Sequence, residues 1–497
     1  MNGIGSYRNP IFAGDYADPS ILRVGDEFYI THSSFVYHPG LLIWKSRDLI
    51  DWEPVTYAVD QPGWDIWAPD LVCHQGRFFI YYFARRSQGP WEGKVFVVHA
   101  DAVAGPWSAP APIECGHIDP GHVVGPDGRR WLHLSGGHLA GLTDDGLALR
   151  EPTRKVYDGW PFPRDRWAVE CFGLEGPKLL WRNGWLYLVS AQGGTAGPAT
   201  SHMVVASRSR TPWGPWEHSP YNPIVHTASR DERWWSRGHG TLVDTPRGDW
   251  WLVYHAYEKG FHTLGRQTLM EPVEWMDDGW FRVAPGSSPD APLRRPAVAV
   301  PAASPSAPRR RPLSDDFAGC TLGMPWRRFD GFDPSRIAVG GGRLRLTASG
   351  TRERPSEPLL VMPGDHAYEV ETEVDTAGLE AGAFAGAVLY YNERWFCGVF
   401  AARDGSILQA RRGNVSNTGD RLPAGTAARL KIRNDGNEVT FLFAGEDGAF
   451  TPLWESLDVS GVHHNVLGGF ISLRPGLMAA GGGVAAFRRF VYRPAGV

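Results

Sequence analysis

The sequence predicts an all-β protein, a five-bladed β-propeller followed by a β-sandwich of jelly-roll type. Three observations carry the prediction. Period-2 runs of aromatic and β-branched residues dominate, and long helical periodicity is nearly absent. One hairpin plan recurs five times in the first 280 or so residues. A Pro/Ala/Ser-rich run then separates that array from a second strand-rich stretch.

The hairpins follow in order. Asp18-Pro19 leads into SILRV, turns at Gly25-Asp26 and returns as EFYITHSSF. Ala68-Pro69-Asp70 leads into LVCH, turns at Gln75-Gly76 and returns as RFFIYYFA. Asp119-Pro120 leads into GHVVG, turns at Asp127-Gly128 and returns as RRWLHLSGG. Glu175-Gly176-Pro177 leads into KLLWR, turns at Asn183-Gly184 and returns as WLYLVSAQGG. His239-Gly240 leads into TLVDT, turns at Arg247-Gly248 and returns as DWWLVYHAY. Asn-Gly between apolar runs is a strong hairpin signal, because both central residues of a type I′ turn need φ > 0. Further strands, such as KVFVVHAD and HMVVASRS, lie between the hairpins. A repeat near fifty residues with about four strands is the size of one propeller blade. A β-sandwich with loosely similar turns is the competing architecture.

Residues 285–312 have no periodicity and read as an extended linker. Strands resume with AYEVETEVDT, GAVLYYNERWFCGVFAA and ARLKIRNDGNEVTFLFA, which an all-β sandwich accommodates. The expected domains are a propeller at 1–290, a linker at 291–312 and a sandwich at 313–497.

Composition narrows the function classes. Net charge is −4 with acids and bases interspersed, so nothing argues for nucleic acid or an anionic membrane as partner. The five cysteines are far apart and show no metal-ribbon spacing, which fits a reducing compartment. The N-terminus lacks a basic segment followed by an apolar run, so a cytoplasmic protein is expected. The 22 Trp have two readings, as strand formers and as flat faces for a ligand such as a sugar.

Polar groups at the blade starts converge on one pocket if the propeller closes. They are Asp18, Asp119, Glu175 and His239. Asp-Pro is a common turn dipeptide, so each Asp alone has a structural reading. Three carboxylates at one axis need a chemical reason, and glycoside hydrolysis supplies one. One carboxylic acid protonates the leaving oxygen while a carboxylate activates water or attacks. A third carboxylate would raise the acid's pKa and orient it. No Gly-x-Ser-x-Gly elbow, His-Glu-x-x-His or P-loop offers another chemistry.

The first domain resembles glycoside hydrolase family 43, the β-xylosidase and α-L-arabinofuranosidase family of five-bladed propellers. The matching segments are YADPSILRVGDEFYI, IWAPDL, HIDPGHVVGPDGRRWL, GLEGPKLL, RGHGTLVDT and LGRQTL. The second domain resembles the concanavalin-like sandwich appended to many of those β-xylosidases, most clearly at GGFISLRPG. The resemblance implies single-displacement hydrolysis with inversion. It makes Asp18 the general base, Asp119 the residue that tunes and orients the acid, and Glu175 the general acid. It places Phe35 and Trp67 beside the bound sugar and lets Arg266 hold sugar hydroxyls. His239 matches an axial His that in several relatives approaches calcium, so a structural calcium near His239 is an open expectation, with no cofactor needed for the chemistry. Asp70 departs from the uncharged residue common after Ala-Pro, which makes it a candidate for leaving-group-side contact. The Glu170-Cys171 pair, which carries the acid in invertase-like propellers, reads as structural because their other motifs are missing.

The expected function is an exo-acting inverting hydrolase that releases xylose from β-1,4-xylo-oligosaccharides, and also terminal α-L-arabinofuranose. The alternatives are arabinofuranosidase as the main activity, a non-catalytic carbohydrate-binding propeller and an endo-acting arabinanase. The expected partner is a xylo- or arabino-oligosaccharide, and homo-oligomerisation is left open.

Overall fold

The computed structural model describes residues 5–298, 312–423, 425 and 427–495. They divide into two compact units, Met1–Lys259 with Arg266–Arg309, and Gly260–Gly265 with Arg310–Val497. The expected linker at 291–312 starts inside the first unit, because Leu293–Arg294 pairs antiparallel with Ser6–Tyr7. Its greater part, 299–311, lies outside the described residues.

The first unit is a five-bladed propeller. Blade one is ordered Ser20–Val24, Glu27–Thr31, Gly40–Ser46, Glu53–Val59. Blade two is Trp64–His74, Arg77–Arg86, Gly93–Ala100, Ala111–Ile113. Blade three is Gly121–Val124, Arg130–Leu134, His138–Leu142, Leu149–Lys155. Blade four runs Leu174–Arg182, Trp185–Gln192, Met203–Ser209, Glu217–His218, with Val225–His226 also paired to its third strand. Blade five is Trp234–Asp244, Trp250–Glu258, Arg266–Trp275, Phe281–Val283. The first strands of successive blades touch one another in sequence, and that of blade five touches that of blade one. The first strands therefore line the axis, and whatever each carries at its start meets the others.

The hairpin turns follow the sequence chemistry. Asn183 and Gly184 both have positive φ, at 50° and 74°, as a type I′ turn requires. Apolar side chains fill the wedge between every pair of blades. Between blades one and two pack Ile43, Ile66, Ile80 and Tyr82, and between blades five and one pack Phe28, Trp44, Trp251 and Met270. The ring is closed by the N-terminal segment. Tyr7 and Asn9 donate to the Met270 carbonyl of blade five at 2.7 and 3.0 Å. Much of the tryptophan excess is core, since Trp44, Trp131, Trp234, Trp251 and Trp280 are all buried.

One feature repeats that turn residues alone do not reveal. Each first strand starts after, or bulges at, a residue in the left-handed region. These residues are Asp18 (φ 56°), Ala68 (37°), Asp119 (55°), Gly176 (58°) and His239 (55°). Left-handed backbone at a non-glycine residue costs of order 1 kcal/mol or more and persists where the surroundings over-determine it.

The second unit is a two-sheet sandwich. One sheet orders Ile337–Val339, Leu344–Thr347, Val484–Pro494, Ala367–Asp375, Ala428–Asp435, Glu438–Ala444, Phe450–Asp458. The other carries Phe384–Asn392 at its centre, between Trp395–Ala402 and Arg474–Ala480. Alternate residues point inward, as in Val370, Thr372 and Val374, all fully buried. The one α-helix among the described residues is His464–Leu467. All five cysteines are free thiols.

Candidate active site

The recurring left-handed residue sets the register of the axis. Asp18, Asp119 and His239 occupy the equivalent position in blades one, three and five. In blade four that position is Gly176, so Glu175 is displaced by one residue from the other two carboxylates. A one-residue shift along a strand turns a side chain to the other face. The Asp18 side chain is accordingly 8 % exposed and Asp119 is buried, whereas the Glu175 side chain is 24 % exposed. Glycine at 176 is required twice over. Its φ is positive, and a Cβ there would lie 2.8 Å from the His239 ring.

Asp18 is held at every polar atom. Its Oδ1 accepts from Arg266 Nη1 at 2.9 Å, and Oδ2 accepts from the Ser33 hydroxyl at 2.5 Å. Its backbone N–H donates to His255 Nδ1 at 3.0 Å. His239 Nδ1 stands 3.3 Å from Oδ1. Burial opposes ionisation here, but neighbouring groups, the Arg266 guanidinium first among them, outweigh it and hold Asp18 well below the usual carboxylate range. Asp119 has the opposite environment. Burial first, then the charges of Glu175 and Asp18, push it well above that range, while the Gly176 N–H, donating to Oδ2 at 3.0 Å, and Lys178 pull the other way. Asp119 thus retains a proton at a pH where solvated carboxylates have lost theirs. Glu175 Oε1 lies 3.1 Å from His202 Nε2.

Around these carboxylates sit the other expected site residues. Phe35 is buried with positive φ, and the Arg266 guanidinium carbon lies 5.2 Å from its ring centroid. Trp67 is half-buried beside Phe83, Trp91 and Arg85. The site is a cluster of one firmly ionised carboxylate, one proton-holding carboxylate and one partly exposed carboxylate, rimmed by aromatic faces and a fixed guanidinium.

Comparison with known proteins settles the family. Residues 7–281 match the glycosyl hydrolases family 43, and residues 314–493 match the β-xylosidase C-terminal concanavalin A-like domain. The chain belongs to glycoside hydrolase family 43. The hydrolase is 28 % identical to a xylosidase/arabinosidase of Humicola insolens, over 98 % of this chain and 97 % of that one. It is also 28 % identical to a non-reducing end α-L-arabinofuranosidase of Bacteroides ovatus, over 97 % and 92 %. The crystal structure of a xylan β-1,4-xylosidase from Bacillus halodurans superposes with a TM-score of 0.85 at 27 % identity, over 98 % of this chain and 99 % of that one.

Two expected residues of the hydrolase are placed differently from their sequence reading. Asp70 is committed to protein partners. Its Oδ1 pairs with Lys178 Nζ at 3.0 Å, its Oδ2 accepts the His122 N–H at 2.7 Å, and Lys178 also donates to the Pro69 carbonyl at 2.6 Å. All of this is buried, so Asp70 ties blades two, three and four together. His239 belongs to a group with Asp18 and His255 whose donor atoms lie within 4.8 Å of one another. Calcium takes six to eight oxygen ligands. This group offers one carboxylate, already bonded to Arg266, and two imidazoles, so its donor set does not fit calcium. Glu170 does behave structurally, with its Oε2 accepting the Ala196 N–H at 2.7 Å.

Sequence reasoning missed His202, His255, Ser33 and Lys178. A single His inside the apolar strand WLVYHAY was the only available signal for His255. His202 had none at its own position, since what makes room for it is on another strand. A Cβ at Gly238 would stand 2.3 Å from its ring.

Proposed function

We propose that this hydrolase is an exo-acting, inverting β-xylosidase that also releases terminal α-L-arabinofuranose. The observation that carries the reading is the opposed environment of the axial carboxylates. Asp18 is ionised at any working pH. Its Oδ2, bonded only to the Ser33 hydroxyl, has a second lone-pair direction for water. It accepts a proton from water as the water oxygen attacks the anomeric carbon. The glycosidic C–O bond breaks, and the Glu175 proton passes to the leaving oxygen. Glu175 is the most accessible of the three and stands beside Asp119. Asp119 keeps negative charge from accumulating beside it and, through the Gly176 N–H, fixes the strand that carries it. Arg266 holds the base and presents its remaining N–H groups as a rigid fork for sugar hydroxyls.

The choice of sugar is supported by the names of the relatives, which include both xylosidase and arabinofuranosidase. Rates on an aryl β-xyloside and an aryl α-L-arabinofuranoside, measured side by side, test it. A higher kcat/KM on the xyloside is expected. The reverse order makes arabinofuranosidase the main activity, and no turnover of either leaves a carbohydrate-binding propeller. Proton NMR of the first-released anomer tests inversion, and a retained product would overturn the single displacement.

A further inference from the structure

Two buried histidines have no part in the displacement just described. His202 and His255 are both fully buried and stand between the two ends of the reaction. His255 Nδ1 receives the Asp18 N–H at 3.0 Å. His255 Nε2 lies 3.2 Å from His202 Nδ1 and 3.2 Å from the Thr195 hydroxyl. His202 Nε2 lies 3.1 Å from Glu175 Oε1.

We propose that His255 and His202 form a directional hydrogen-bond relay that starts at the backbone amide of Asp18 and fixes His202 as a donor to Glu175. The direction follows from tautomer logic. The Asp18 amide can only donate, so His255 Nδ1 must be a bare acceptor and its proton sits on Nε2. Asp18 Oδ1 also lies 3.2 Å from the same Nδ1, but the amide hydrogen is aligned on that nitrogen and takes its lone pair. His255 Nε2–H then donates to His202 Nδ1, which leaves the His202 proton on Nε2, facing Glu175. Burial supports the neutral state, pushing His255 down to about 3. The final contact is bent in the free enzyme, since His202 Nε2 lacks an aligned acceptor. Catalytic hydrogen bonds commonly align only with substrate bound.

The consequence is an oriented acid. A donor on Oε1 leaves Oε2 as the oxygen that carries the transferable proton and faces the leaving group. The relay also couples acid and base. Any shift of the Asp18 backbone reaches Glu175 through two rigid rings. His202 and His255 are positioning residues, and Gly238 supplies the space for the first of them. Other charged and titratable groups face the pair. Arg266, Asp18 and His239 stand on the His255 side, and Asp119 and Lys178 on the Glu175 side. The inference rests on Glu175 being the acid, which is tested separately by comparing good and poor leaving groups in Glu175→Ala.

The test uses His202→Phe, which keeps a flat ring of similar size, and His202→Gln, which restores a donor near the Nε2 position. Kinetics on xylobiose should show kcat for His202→Phe down by about 10- to 100-fold with KM within about twofold. Loss of a donor to the carboxylate should move the alkaline limb of the kcat/KM profile up by about one pH unit. His202→Gln should recover most of both. A merely structural histidine would leave the alkaline limb where it is, and that result would overturn the relay. Neutron diffraction from crystals grown of the wild-type protein gives a reading independent of any variant's folding. Deuterium on Nε2 of both rings is expected, and deuterium on Nδ1 of either ring would sink the proposal.

Discussion

Both units of the molecule gather carboxylates, and they treat them in opposite ways. In the sandwich, Glu369, Glu371 and Glu373 alternate along one strand and share one face. Each meets cations from the neighbouring strands. Glu369 pairs with Lys431 and Arg433 at 3.0 and 2.8 Å, Glu371 with Arg429 and Arg489 at 2.9 Å each, and Glu373 with Arg488 at 2.6 Å. The cations outweigh the cost of burial and lower the carboxyls of Glu369 and Glu371. At the propeller axis the carboxylates outnumber their cations locally. Arg266 serves Asp18, and Lys178 is committed to Asp70. Asp119 is left beside Glu175 with its own carboxyl pushed up. Charge that is fully neutralised by neighbours builds a sheet, while charge left partly unbalanced in a water-poor site does acid–base chemistry.

The largest effects should come from breaking the axial set. Asp18→Ala is expected to reduce kcat/KM by about 10³- to 10⁴-fold on every substrate, because Asp18 is the group proposed to activate water. Appreciable turnover in that variant would remove Asp18 as the base. Glu175→Ala should cost about 10²- to 10³-fold on xylobiose and far less on an aryl xyloside whose leaving group departs unprotonated. Equal losses on both substrates would count against Glu175 as the acid.

How much of this was visible in the chain follows from where each constraint resides. The blades were legible because each hairpin encodes its own turn, as Asn183-Gly184 does. The charge row of the sandwich was legible too, since EVETEV and RLKIR both alternate with period 2. The axis was only half legible. Asp18, Asp119 and Glu175 could be picked out by their blade starts, yet the one-residue offset of Glu175 depends on which residue takes the left-handed turn. The buried pairing of Asp70 was not legible, because its own segment says nothing of Lys178, 108 positions away. His202 was invisible because its site is carved by a glycine on the adjoining blade.

The next effect tests the axis through pH. Burial pushes His255 down to about 3 and His133 down to about 4. In the unfolded chain both titrate near 6.5. A depressed pKa gives stability that is complete above about pH 6.5 and is lost as pH falls toward the folded values. At pH 5 the loss is about 2 kcal/mol for each histidine. Urea denaturation at pH 7 and pH 5 should show the drop. His133→Gln, which keeps an amide donor for the Pro212 carbonyl that His133 Nε2 meets at 2.7 Å, should lessen the difference between the two pH values by about 2 kcal/mol. An unchanged difference would mean that His133 is not held neutral by burial.

The smallest effect belongs to the sandwich, and it sharpens the contrast. Glu371 is 4 % exposed but its partners Arg429 and Arg489 are more than a third exposed, so they remain hydrated when it is neutralised. Glu371→Gln should therefore cost only about 1 kcal/mol, seen as a shift of a few degrees in the melting temperature. Neutralising a member of the axial set is expected to remove activity, whereas this substitution should leave kcat/KM on the aryl xyloside unchanged, since the charge it removes is balanced locally by basic side chains of the same sheet. A loss of activity comparable to that of Glu175→Ala, with the fold intact, would show that the sandwich carboxylates reach the chemistry after all, and the division of labour between the two sets would fall.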